Sequence, residues 1–171
     1  MIRVGLLSDT HGYWDSSLEL FFKDCHEIWH AGDIGDTSVV KRISTFKPFK
    51  GVYGNIDDQD VRKECSKYLR FNCEKVDVLI THIGGTPSRY DPSILSIINQ
   101  NPPNLFICGH SHILKVMFDK KRNFLYMNPG AAGVIGFHKY RTAIRFAIEG
   151  ENIKDLEVWE APRSRTIYPK D

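Results

Sequence analysis

Gly109-His110-Ser111-His112 places two imidazoles two residues apart, directly after the apolar run Leu105-Phe106-Ile107-Cys108. In extended backbone, residues i and i+2 point to the same side, so both rings are expected to reach one small volume at a strand end. Neutral imidazole is the commonest protein ligand for a transition metal. Alone, the pair reads equally well as a polar loop with two solvated histidines. Four other segments carry similar donors: Ser8-Asp9-Thr10-His11, Gly32-Asp33, Gly54-Asn55 and Thr81-His82.

The seven donors are Asp9, His11, Asp33, Asn55, His82, His110 and His112, from five separate segments. In an α/β sheet, functional groups gather beyond the carboxyl ends of strands. Seven oxygen and nitrogen donors exceed one ion's needs once room is left for water. They suit two metals sharing a bridging carboxylate. The absence of thiols argues against a structural zinc cluster. The expected cofactor is two divalent ions per chain, Mn2+ first, with Fe, Ni2+ or Zn2+ as alternatives, because such mixed donors tolerate several ions. Two metals about 3.5–4 Å apart suit phosphate-ester hydrolysis. They neutralise phosphate oxygens and lower the pKa of a bridging water, and the resulting hydroxide attacks phosphorus in line with the leaving oxygen.

The elements that must position these donors are short. Apolar runs at residues 2–8, 27–31, 49–53, 76–80 and 105–108 suit buried strands. Between them, residues 16–24, 37–46 (Thr37 as N-cap) and the stretch after Asp91-Pro92 have helical spacing. Alternating strands and helices argue an α/β core with parallel pairing. Beyond His112 two hairpins are expected, around residues 120–123 and 149–152. The fold class is thus α/β (α+β): a β-sandwich of mixed sheets flanked by helices. One domain spans 1–171, with a polar tail at 160–171 that is extended or frayed.

Lys and Arg number 23 against 21 Asp and Glu, so the net charge of +2 gives no warrant for nucleic acid or an anionic membrane. No apolar run approaches the roughly 20 residues needed to cross a bilayer. The first residues lack the pattern of a signal peptide. Cys25, Cys65, Cys73 and Cys108 show no CxxC spacing and read as reduced thiols of a cytoplasmic protein.

The ordered set Asp9-Thr10-His11, Gly32-Asp33, Gly54-Asn55, His82 and Gly109-His110-Ser111-His112 resembles the calcineurin-like metallophosphoesterase superfamily. The compact length and Asn128-Pro129-Gly130 are similar to its small YfcE-type phosphodiesterase branch, which also resembles the metallophosphoesterase-like subunit of retromer. The resemblance implies that Asp9, His11 and His112 hold one metal, that Asn55, His82 and His110 hold the other, and that Asp33 bridges them. It assigns catalytic roles to Asp33, Asn55 and His110. Many superfamily members follow the Gly-Asn pair with a histidine that helps protonate the leaving group. This chain has Ile56 there, and Asp57 is the neighbouring candidate for that proton.

Arg89 and Tyr90, in a glycine-containing loop after His82, are candidates to clamp a phosphate and stack on a base. His138 is a candidate for the cleft mouth. His30 reads as a buried packing residue, and Asn128-Pro129-Gly130 as a brace. Tyr13, Trp14, Phe137 and Tyr140 are candidates for an interface, and hence for a homo-oligomer, or for a cleft wall. The expected function is metal-dependent phosphodiester hydrolysis of a small substrate. The alternatives are a phosphomonoesterase or nuclease on the same centre, or a non-catalytic scaffold.

Overall fold

The apolar N-terminal run forms strand β1 (Ile2–Leu7). Val4 and Leu6 enter one core and Leu7 another, because successive side chains on a strand point to opposite faces. The computed structural model describes residues 1–163, so most of the expected tail lies outside the described residues. After β1 follow α1 (Ser16–Phe22), β2 (Glu27–His30), α2 (Thr37–Phe46), β3 (Phe49–Gly51) and α3 (Gln59–Glu64). Next come β4 (Tyr68–Cys73), β5 (Val76–Thr81), β6 (Gly85–Thr86), β7 (Arg89–Tyr90) and α4 (Pro92–Gln100). The described chain ends with β8 (Leu105–Ile107), β9 (Leu114–Asp119), β10 (Phe124–Pro129), β11 (Tyr140–Glu149) and β12 (Asn152–Pro162).

Two five-stranded mixed sheets result, ordered β12-β11-β1-β2-β3 and β4-β5-β8-β10-β9. Strands β1, β2 and β3 pair in parallel, as do β5, β8 and β10. The outer strands close each sheet by antiparallel hairpins. The expected parallel core is therefore divided between two sheets. The expected antiparallel third also lends β10 to a parallel pair with β8.

Three buried clusters follow from strand alternation. Val4, Leu6 and Trp29 meet Val78, Ile80, Leu105 and Ile107 between the sheets. On the outer face of the first sheet, Leu7 and Ile28 pack with Leu18, Phe22, Val39 and Ile43 from α1 and α2. On the outer face of the second, Leu79 and Phe106 pack with Ile94 and Ile98 of α4. Each such fully buried side chain contributes about 1.5–3 kcal/mol relative to exposure.

The caps are carboxylates. Asp91 caps α4, with Pro92 at its first turn. Asp36, not the expected Thr37, caps α2 by accepting from the Ser38 N–H. Residues 160–162 of the tail take the extended alternative: Glu160, Ala161 and Pro162 pair with Thr142, Arg141 and Tyr140. Strand pairing supplies backbone partners that polar composition does not advertise. All four cysteines are free and buried.

Candidate metal centre

Both sheets present the carboxyl ends of their parallel strands to one edge. Asp9 and His11 follow β1, Asp33 follows β2, Asn55 follows β3, His82 follows β5, and His110 and His112 follow β8. Their turns are tied to one another within each sheet. The His11 N–H donates to the Asp33 carbonyl (3.0 Å) and the Gly109 N–H to the His82 carbonyl (3.0 Å). The side chains fall into two groups, Asp9 with His11 and His112, and Asp33 with His82 and His110. In each group the candidate ligand atoms lie within 4.8 Å of one another.

Asp33 faces both groups, its Oδ2 standing 3.2 Å from His82 Nε2 and 3.7 Å from His11 Nε2. Asp9 Oδ1 lies 3.0 Å from His112 Nε2. Asn55 joins the second group through Oδ1, 3.1 Å from His82 Nε2. All seven donors read from the sequence are thus brought together.

His110 and His112 do not share one volume, however. Their φ angles are 67° and 59°, so the segment is not extended and each ring turns into a different group. Asp9, His11 and Asp33 also have positive φ, at 54°, 48° and 53°. Residues held in the left-handed region cost roughly 1–3 kcal/mol each and persist where surroundings over-determine them. Close packing surrounds these turns. A Cβ on Gly54 would collide with Asp33 Oδ1, and one on Gly109 would collide with Ser8 Oγ.

The polar partners set ring and carboxylate orientation. The Ala31 carbonyl accepts from His82 Nδ1 at 2.7 Å, which leaves the Nε2 lone pair facing Asp33 and Asn55. Asp9 Oδ2 accepts from the Ser8 hydroxyl (2.6 Å) and the His110 N–H (3.2 Å). Its other oxygen, Oδ1, faces His112 Nε2 without hydrogen-bond geometry, and both Oδ1 and His11 Nε2 are buried without a hydrogen bond among the described residues. Unpartnered buried acceptors are costly in a protein interior, and a cation is the group that satisfies them. The donor set therefore fits divalent metal.

Burial raises the Asp9 carboxyl's pKa, but His11 and His112 hold it well below the usual carboxylate range. Burial likewise opposes charge on Asp33 and His82. Their mutual contact outweighs it, lowering the one pKa and raising the other.

His30 is fully buried, as expected. Its Nδ1 accepts from the Gly32 N–H (3.1 Å), so Nε2 carries the proton that Thr10 Oγ1 receives at 2.9 Å. Thr10 in turn donates to the Ile34 carbonyl (3.0 Å), which links the Asp9–His11 turn to the Asp33 turn. Asn128 braces the other side, donating to the Gly109 carbonyl (2.8 Å) and Ser111 Oγ (3.1 Å).

Asp57 does not serve as the expected proton donor. It is buried, and its carboxylate accepts from the Ile34, Gly35 and Gly54 N–H groups at 3.1, 2.6 and 2.7 Å. These three contacts tie the Asp33 loop to the Asn55 loop. Tyr90 is also corrected. It is 6% exposed, packed among Phe106, Phe124 and Tyr126, and its hydroxyl donates to Asp119 (2.7 Å), so no base stacks on it. Arg89 is exposed on the small β6–β7 hairpin, away from the cavity beside Asn55. His138 is exposed and makes no hydrogen bond to the site among the described residues. Trp14 is core, whereas Phe137 and Tyr140 are exposed.

A family model described as the calcineurin-like phosphoesterase superfamily domain matches residues 2–151. The chain belongs to this superfamily. Its members are hydrolases of phosphate esters that use divalent metals. A curated relative from Methanothermobacter thermautotrophicus named "Probable metallophosphoesterase" is 27% identical over 138 residues, 77% of each chain. Two solved structures share the fold. One, described as a novel archaeal phosphodiesterase, has a TM-score of 0.71 at 20% identity, covering 92% of this chain and 100% of its own. The other, Entamoeba histolytica Vps29 complexed with Zn2+, has a TM-score of 0.69 at 14% identity, covering 95% and 100%. Among the described residues, no helix is long and apolar enough to cross a membrane.

Sequence reading missed two basic groups near the centre. Arg62 and Lys67 line a cavity of about 320 Å³ with Tyr53, Asn55 and His82. Arg163 reaches the opposite side, where a Cβ on Gly136 would meet both its Nη1 and His112 Nδ1. The Asp58 cap of α3 was the available signal for Arg62, and nothing local marks Arg163.

Proposed function

We propose that the chain is a dinuclear metal-dependent phosphodiesterase acting on a small phosphate ester, with a cytoplasmic location. The observation that carries this reading is the pair of ligand groups facing each other across Asp33, with Asp9 Oδ1 and His11 Nε2 buried and unpartnered. Asp9, His11 and His112 would hold one ion. Asn55, His82 and His110 would hold the other, and Asp33 would serve both. Mn2+ is the first choice, with Fe, Ni2+ and Zn2+ as alternatives. When bound, the ions supply charge neutralisation for phosphate and hydroxide at neutral pH.

The chain's own residues fix the geometry of this chemistry. The Ala31 carbonyl holds His82, Asp57 holds the loops of Asp33 and Asn55, and Ser8 with the His110 amide orients Asp9. Hydrolysis joins a water oxygen to phosphorus, breaks the ester P–O bond and leaves a proton for the departing oxygen. Ile56 cannot provide that proton, which favours diesters with good leaving groups. The four free, buried thiols support a reducing compartment.

The test is metal-stripped protein reloaded with one metal at a time. It is assayed on aryl diesters, aryl monoesters and single-stranded nucleic acid, with metal content measured by mass spectrometry. Two ions per chain and fastest turnover of the diester are expected. Fastest turnover of a monoester or of nucleic acid moves the assignment within the superfamily. No turnover above the metal-only control with every ion replaces it with a scaffold role.

A further inference from the structure

The cavity beside Asn55 and His82 is lined by Tyr53, Arg62, Lys67, Asp91 and Ser93 and holds about 320 Å³. Of its two cations, Arg62 is held in place and Lys67 is exposed. Arg62 Nε donates to the Asp57 carbonyl (2.7 Å), and its guanidinium lies over the Tyr53 ring, 4.8 Å from the centroid. This fixes a planar fork whose other nitrogens have no ion-pair partner among the described residues. Lys67 likewise makes no ion pair among them. The cavity's one carboxylate, Asp91, offsets part of this charge; its Oδ1 accepts from the Ser93 N–H (2.9 Å) and the Ser93 hydroxyl (2.5 Å) in capping α4. A second cavity, about 420 Å³, differs, because its Arg145 is already paired with Glu157 at 2.7 Å.

From this arrangement, which rests on the hydrolysis proposed above, we infer that the substrate carries a second, non-reacting phosphate group, received by Arg62 and Lys67. An ester anchored at the metal groups borders the cavity through Asn55 and His82, so its leaving portion extends into it. The volume is at the lower end for small-ligand sites, about 300–1,000 Å³, and suits a phosphorylated sugar or nucleoside instead of a polymer. The fixed guanidinium matches phosphate oxygens bidentately, and the lysine adds a point charge.

Two probes that differ by one phosphate provide the test: adenosine 5′-monophosphate and adenosine 3′,5′-bisphosphate. Each is titrated calorimetrically into the Mn2+-loaded protein and also used to compete with hydrolysis of bis(4-nitrophenyl) phosphate. The bisphosphate is expected to bind at least roughly tenfold more tightly, the scale of one charge-assisted hydrogen bond. That advantage should shrink in Lys67→Gln and vanish in the Arg62→Gln, Lys67→Gln double variant. Lys67 is exposed, so the single variant tests the idea even if the double variant misfolds. Equal affinities in the unaltered protein, or a preference that survives in Lys67→Gln undiminished, overturns the inference. Failure of the underlying reading is distinguishable, since it shows as no hydrolysis of the aryl diester, while calorimetry still compares the two probes.

Discussion

His11 Nε2 stands 3.7 Å from Oδ2 of Asp33, across the boundary between the two ligand groups. The contact joins the end of β1 to the end of β2 and places the Asp33 carboxylate between both groups. Asp33→Ala should therefore lower metal content from two ions to one or none and abolish metal-dependent turnover. His110→Ala should do the same from the other side. Both should keep the circular dichroism of the unaltered protein, because neither side chain belongs to an apolar cluster. Undiminished turnover in either variant counts against the proposed centre.

Asp57→Ala separates a positioning role from an acid role. Removing the carboxylate leaves three amides, those of Ile34, Gly35 and Gly54, without their acceptor. Each unsatisfied buried amide costs about 1–3 kcal/mol, so a loss of roughly 3 kcal/mol or more in chemical denaturation is expected. Metal affinity should fall with it. The loss of turnover should be similar for aryl and alkyl esters, whereas a true proton donor would matter far more for alkyl leaving groups.

Ile56→His tests the departure from the superfamily pattern. The side chain is 46% exposed, so imidazole is accommodated without repacking, and the backbone N–H that donates to Asp33 Oδ1 (3.1 Å) is unchanged. A positioned general acid is worth about 10²–10⁴-fold. Turnover of poor leaving groups should rise by at least tenfold, about the low end of that scale discounted for imperfect placement. Aryl diesters should change little. Equal effects on both ester classes would rule out proton donation.

His30 sets the acid limb of stability in the metal-free protein. Burial pushes its pKa from 6.5 down to about 4. Between those values the unfolded chain binds a proton that the folded chain refuses, so stability rises with pH from about 4 to about 6.5. The contribution is on the order of 3 kcal/mol. His82 acts with the opposite sign. Burial opposes its charge, but Asp33 and Asp9 outweigh burial and raise its pKa above 6.5. Its contribution is complete below that value and fades as pH climbs through the raised one. Thermal melts of metal-free protein should thus peak near pH 6.5, and His30→Gln should flatten the acid side. A metal-free melting temperature independent of pH between 4 and 6.5 contradicts this account.

Much of the fold could be read locally. Short apolar runs placed β1, β2, β3, β5 and β8 to within a residue or two, and Asp91-Pro92 marked the start of α4. Helix α3 and strand β4 were missed. Five of the six residues Gln59–Glu64 are polar and only Val61 is buried, and Tyr68–Cys73 alternates too weakly to announce a sheet edge. Tyr90 was misplaced for a related reason. Its neighbours Gly85 and Arg89 read as loop, yet the aromatic ring is claimed by Phe106 and Phe124, distant in sequence.

The sequence by itself determined which atoms are available at the centre: seven donors, each just past an apolar run, and isoleucine where a proton donor is common. Only the tertiary structure decided how they divide. His110 and His112 part because both residues adopt positive φ, a conformation set by the Asp9 carboxylate and Asn128 packed against that loop. Asp57 became a clamp, and Arg62 with Lys67 a cavity wall, through partners on other elements. Side-chain type is local chemistry, whereas direction follows from backbone torsions that long-range contacts select.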